Sequence, residues 1–105
     1  MQPLIEKIRY FFLSTYGNDV RYILLKGSQI DNNTIDYWSD TDLVVILSDE
    51  VHIDEKLRHK VKAAMGKCVA EETHKQPQKM LMRLVIDSGR DIKLLDLKLV
   101  HQSQW

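Results

Sequence analysis

Three groups of residues along the chain could do chemistry. The first is Gly27-Ser28, directly after the apolar stretch Val20 to Leu25 and Lys26. A strand that ends in Gly-Ser and passes into a helical turn offers backbone N–H groups to an anion. Glycine lets a phosphate approach the main chain, and serine adds a hydroxyl donor. Taken alone, the dipeptide reads first as a turn made by Gly27. The second group is Asp40-Thr41-Asp42, which leads into Leu-Val-Val-Ile-Leu. In an extended chain residues i and i+2 point to one side, so Asp40 and Asp42 converge. Two carboxylates so placed repel each other unless a cation lies between them. An all-oxygen donor set suits Mg²⁺, which takes one or two protein carboxylates together with substrate phosphates. A solvated turn ahead of a strand is the plain alternative. The third is Asp96, set among leucines in Leu-Leu-Asp-Leu-Lys-Leu. A carboxylate in mid-strand is costly unless it faces water, a metal or a cation.

The elements that must position these residues follow from periodicity. Leu4, Ile8, Phe11, Phe12 and Thr15 recur at helical spacing between Pro3 and Gly17, which predicts a first helix over Pro3 to Tyr16. Val20 to Leu25 predicts a strand. Gln29 to Ser39 is polar and irregular, compatible with a helical turn and then a loop. Leu43 to Leu47 is continuously apolar and predicts a strand buried on both faces, with the Asp-Thr-Asp group at its edge. Leu57, Val61, Ala64 and Met65 form one helical stripe that Gly66 ends. Lys67 to Lys79 shows no clear pattern. Met80 to Ile86 predicts a third strand, Asp87-Ser88-Gly89-Arg90 a turn, and Ile92 to Val100 a fourth strand. In that strand Leu95, Leu97 and Leu99 point one way, and Ile92, Leu94, Asp96 and Lys98 the other. The expectation is an α+β fold: a mixed sheet with helices packed on one face and the last two strands in an antiparallel hairpin.

Composition narrows the partners. Fifteen Lys plus Arg balance fifteen Asp plus Glu over 105 residues. Zero net charge argues against gripping long nucleic acid, which needs a basic surface, but leaves room for a nucleotide in a local site. The length fits one domain with one core. A single cysteine, Cys68, excludes an intrachain disulfide and fits a reducing compartment. There is no signal-peptide pattern at the N-terminus and no apolar run near the roughly 20 residues of a membrane span. The expected location is the cytoplasm, with no membrane partner. His52, His59, His74 and His101 show no metal-ligand spacing and are expected at the surface.

Taken in order, strand–Gly27-Ser28, eleven intervening residues, Asp40-Thr41-Asp42 entering an apolar strand, and one further Asp on a later strand resemble the nucleotidyltransferase superfamily, the polymerase beta-like core. The similarity is closest to the N-terminal domain of aminoglycoside 6-adenylyltransferases, whose Gly-containing hairpin and Leu-Asp-Leu-x-Leu strand are matched by Ser88-Gly89 and Leu95-Asp96-Leu97-Lys98-Leu99. The resemblance covers nearly the whole chain. It implies a catalytic core over residues 1–105 that moves a nucleoside monophosphate, AMP from ATP, to a hydroxyl of a small-molecule acceptor such as an aminoglycoside. Gly27 and Ser28 would bind the nucleotide. Asp40, Asp42 and Asp96 would be catalytic and hold Mg²⁺, with Asp96 either completing the metal site or accepting the proton of the attacking hydroxyl. Asp91 competes with Asp96 for the third position but has the opposite parity. Lys26 and Arg83 are candidates to meet phosphates. Tyr37 and Trp38 could stack on a base or anchor their loop, and Asp31 and Asp36 read as loop acids. Relatives of this type carry a further helical C-terminal domain, so the resemblance implies either that such a domain is missing from this chain or that it is a minimal core. A minimal core could instead adenylylate a helical protein partner, as an antitoxin, or bind nucleotide without turnover.

Overall fold

A computed structural model of the chain describes residues 3–26 and 39–105. Helix α1 spans Pro3–Tyr16, as its periodicity predicts, and buries Leu4, Ile8 and Phe12. Phe12 packs edge-on against Phe11 and is stacked with Tyr16. Strand β1 (Val20–Lys26) leads toward Gly27-Ser28, which lie outside the described residues with the rest of 27–38. Strand β2 covers Ser39–Leu47, α2 Glu55–Met65, β3 Cys68–Gln76, β4 Lys79–Asp87 and β5 Ile92–His101. A short 3-10 turn, Gln102–Gln104, follows.

The described strands form one mixed sheet in the order β1-β2-β5-β4-β3. Only β2 and β5 run parallel; the other neighbours are antiparallel, including the expected β4–β5 hairpin. Helices α1 and α2 pack on one face, over Leu43, Val45 and Leu47 of β2, Met80, Met82, Leu84 and Ile86 of β4, and Leu95, Leu97 and Leu99 of β5. The α+β class and the one-sided helical layer thus agree with the sequence. The apolar run is interior, with Leu43 to Leu47 all at most 1% exposed. Val44 and Ile46 face away from the helices and form a second small cluster with Val100 and Leu24.

Two elements differ from expectation. β2 begins at Ser39, so Asp40-Thr41-Asp42 lies inside the strand and not at its edge; Ser39 to Asp42 pair with Lys93 to Asp96 of β5. The stretch after Gly66, which shows no clear pattern in the sequence, forms a further strand, β3, at the edge of the sheet. Its helix-facing side carries Glu71 and Thr73 instead of aliphatics. Arg58 Nη1 on α2 donates to both Glu71 carboxylate oxygens at 2.6 and 2.7 Å, and Lys62 Nζ reaches Glu71 Oε1 at 2.8 Å. An ion cluster therefore holds α2 to β3 beside the buried apolar stripe Leu57, Val61 and Met65 of the helix. Helix α2 itself starts at an N-cap, Asp54, whose Oδ1 accepts from Leu57 N at 3.0 Å, and stops at Gly66 with φ 91°. Among the described residues no helix is long and apolar enough to cross a membrane.

Candidate functional site

The face of the sheet turned away from the helices is where the polar residues of the strands collect. Strand pairing builds one rung across all five strands: Lys26 on β1 opposite Asp42 on β2, Asp42 opposite Asp96 on β5, Asp96 opposite Arg83 on β4, and Arg83 opposite Glu72 on β3. Directly opposite residues share a face, so the rung reads basic, acidic, acidic, basic, acidic. The next rung, Leu24, Val44, Lys98, Leu81 and His74, is mostly apolar. A cleft of about 350 Å³ lies over the two rungs, lined by Lys26, Asp42, Asp96, Arg83, Glu72 and Lys98 among others.

The acidic pair sits at the centre. Neighbouring strands are about 4.8 Å apart, and two carboxylates at that separation repel by about 1–3 kcal/mol for effective dielectrics between water and a protein surface. The rung answers with cations on both flanks. Arg83 Nε donates to Asp96 Oδ1 at 2.8 Å, and the Asp96 side chain is 35% exposed. Lys26 stands beside Asp42 in register, with its ammonium 5.6 Å from the centre of the Trp105 ring. Lys98 approaches the same indole at 5.5 Å. The C-terminal turn therefore brings Trp105 beside Lys26 and Lys98, two of the residues that line the cleft. On the far wall His74 Nε2 lies 3.0 Å from Glu72 Oε1.

The site residues expected from sequence fall as follows. Asp42 and Asp96 are brought side by side. Asp40 is placed in the same strand as Asp42, in register with Leu94. Gly27 and Ser28, with Asp31, Asp36, Tyr37 and Trp38, lie outside the described residues. Asp91 sits in the β4–β5 turn, where the Ser88 hydroxyl donates to its carboxylate and Lys93 Nζ is 3.5 Å away. That hydrogen bond, aided by Lys93 and Arg90, holds its carboxyl below the usual range despite some burial. Asp91 is thus a turn acid, removed from the rung. Arg83 and Lys26 do line the cleft, Arg83 through Asp96 itself. Glu72 and His74 were missed because β3 carries charges on both faces and shows no alternation. Lys98 was within reach of parity alone, two residues from Asp96. Nothing local marks Trp105. His101, expected at the surface, is half-buried with Nε2 2.6 Å from the Val51 carbonyl oxygen.

Asp42 and Asp96 present hard, anionic oxygens from two rigid strands to an open cleft. Among the described residues no three His, Cys, Asp or Glu side chains form a cage that would hold a metal unaided. A pair of carboxylates completed by phosphate oxygens and water is the arrangement Mg²⁺ accepts, so the donor set fits that ion.

No family model matches the sequence, and no curated protein matches it. Among solved structures the chain is similar to the Cid1 poly(U) polymerase, in a structure with Mg and 3'-dATP bound that addresses that enzyme's UTP selectivity. The TM-score is 0.55 at 13% sequence identity, over 94% of this chain and 29% of that one. The chain thus spans less than a third of that enzyme's length. The likeness is one of fold, a nucleotidyltransferase fold, and carries no information on the acceptor.

Proposed function

We propose that this chain is a Mg²⁺-dependent nucleotidyltransferase core that transfers AMP from ATP to a hydroxyl of a small-molecule acceptor such as an aminoglycoside. The observation that carries the reading is the pairing of Asp42 with Asp96 across the parallel strands β2 and β5, on the open face of a nucleotidyltransferase fold. In this reading Asp42 and Asp96, with Asp40, hold the ion. Mg²⁺, when bound, neutralises charge that develops on the phosphoryl oxygens during transfer. Gly27 and Ser28, which follow β1 directly, bind the phosphates through main-chain N–H groups and the serine hydroxyl. Lys26 flanks the acids on that side and adds positive charge for the phosphate tail.

The reaction is an in-line displacement. The acceptor hydroxyl oxygen bonds to the α-phosphorus, the bond from that phosphorus to the bridging oxygen breaks, and pyrophosphate leaves with the electron pair. Asp96 either completes the metal site or takes the hydroxyl proton. A small acceptor is favoured by the zero net charge of the chain, since gripping a long polyanion calls for a basic surface.

The experiment is transfer of label from α-labelled ATP to a panel of aminoglycosides, with pyrophosphate release followed in parallel. Mg²⁺-dependent transfer that Asp42→Asn abolishes is the expected result. Equal pyrophosphate release by wild type and Asp42→Asn would overturn the assignment.

A further inference from the structure

The same site contains a residue that its chemistry does not require but its geometry singles out. Arg83 stands opposite Asp96 on β4 and donates to it at 2.8 Å. A guanidinium cannot shed its charge near neutral pH, so Asp96 always faces a cation. An incoming divalent ion must share that carboxylate with Arg83 or take it away. Behind Arg83, directly opposite on β3, stands Glu72, an acidic neighbour toward which the guanidinium can turn when Asp96 is taken.

We propose that Arg83 is a built-in counter-ion that opposes the divalent cation at Asp96 when it arrives alone and turns to the polyphosphate when nucleotide arrives with it. This rests on the metal-site reading of Asp42 and Asp96. Without ligand Asp42 and Asp96 stand between Lys26 and Arg83, with Glu72 beyond Arg83. A bare dication at Asp42 and Asp96 meets Arg83 as a repelling neighbour. A dication bearing a triphosphate brings excess negative charge, and the planar guanidinium then gains phosphate oxygens in its fork. The arginine thus weakens one equilibrium and strengthens the other, and by linkage metal and nucleotide each raise the affinity for the other. Arg83 thus bears on the ion through Asp96 and on the nucleotide through its phosphate oxygens.

The test is Mn²⁺ titration of the full chain, with free Mn²⁺ counted by paramagnetic resonance, first without and then with ATP. Without nucleotide, Arg83→Gln should bind Mn²⁺ about three- to tenfold more tightly than wild type, the range set by removing one partly exposed charge beside a dication. Arg83→Lys, which keeps the charge, should stay close to wild type. With ATP the order should reverse, so that the gain in Mn²⁺ affinity brought by ATP collapses in Arg83→Gln. An unchanged or weaker Mn²⁺ affinity in Arg83→Gln overturns the proposal. Asp42→Asn separates the two ideas: if it abolishes Mn²⁺ binding while Arg83→Gln leaves it unchanged, only the role of Arg83 fails. If Asp42→Asn binds Mn²⁺ like wild type, or if neither wild type nor Arg83→Gln binds it saturably, the metal site fails as well.

Discussion

Replacing Glu71 with glutamine removes the charge that fastens α2 to the edge strand β3. The carboxylate is 14% exposed and receives Arg58 on both oxygens, Lys62 at 2.8 Å and the Thr73 hydroxyl. Burial alone would raise its pKa. The hydrogen bonds from Lys62, Thr73 and Arg58, with the charge of Arg58, outweigh that and bring it from 4.5 to about 2. At 1.36 kcal/mol per pKa unit this drop corresponds to at most about 3 kcal/mol. Arg58 and Lys62 are 20% and 33% exposed, and solvent screening reduces the figure to about 1–2 kcal/mol. The sign follows from linkage. A carboxyl with a depressed folded-state pKa stabilises the fold fully above its unfolded value, 4.5, and loses that contribution as the pH falls toward about 2. Urea unfolding of wild type and Glu71→Gln at neutral pH should therefore differ by about 1–2 kcal/mol, with wild type the more stable. The gap should narrow steadily on acidification. A gap independent of pH, or none at neutral pH, would refute the claim that a charged clamp holds these elements.

Two further substitutions probe the ends of α2. Gly66→Ala places a side chain at φ 91° and ψ −132°, a region almost reserved for glycine, although the nearest atom to the new Cβ is Lys7 Nζ at 3.9 Å; the cost is backbone strain of about 1–3 kcal/mol, read as a lowered urea midpoint. Asp54→Ala removes the acceptor for Leu57 N and should cost about 1 kcal/mol, visible as a fall in Tm of about 4–8 °C.

Much of this molecule is legible in its sequence where burial is one-sided and apolar. Phe12, Ile8 and Leu4 mark α1, and Leu95, Leu97 and Leu99 against Asp96 and Lys98 mark both β5 and the face on which the acid lies. β3 is not legible for the same reason it is stable. Of its inward positions, Glu71 is met by arginine and lysine from a helix that only the fold brings near, and Thr73 donates to Glu71. The start of β2 at Ser39 is likewise a tertiary effect, since polar residues with little strand preference are drawn into register by β5. Sequence order placed Asp42 and Asp96 in one site through resemblance. Their meeting on a single rung, and Arg83 upon Asp96, depends on register, which no local pattern encodes.

The most direct test of the account is calorimetric titration of the protein with ATP, with and without Mg²⁺, for wild type, Asp42→Asn and Asp96→Asn. Saturable ATP binding that requires Mg²⁺ is expected in the wild type and is lost in both variants, each still folded by circular dichroism. ATP binding that ignores Mg²⁺, or that survives in both variants, would contradict the assignment of this rung as a nucleotide and metal site.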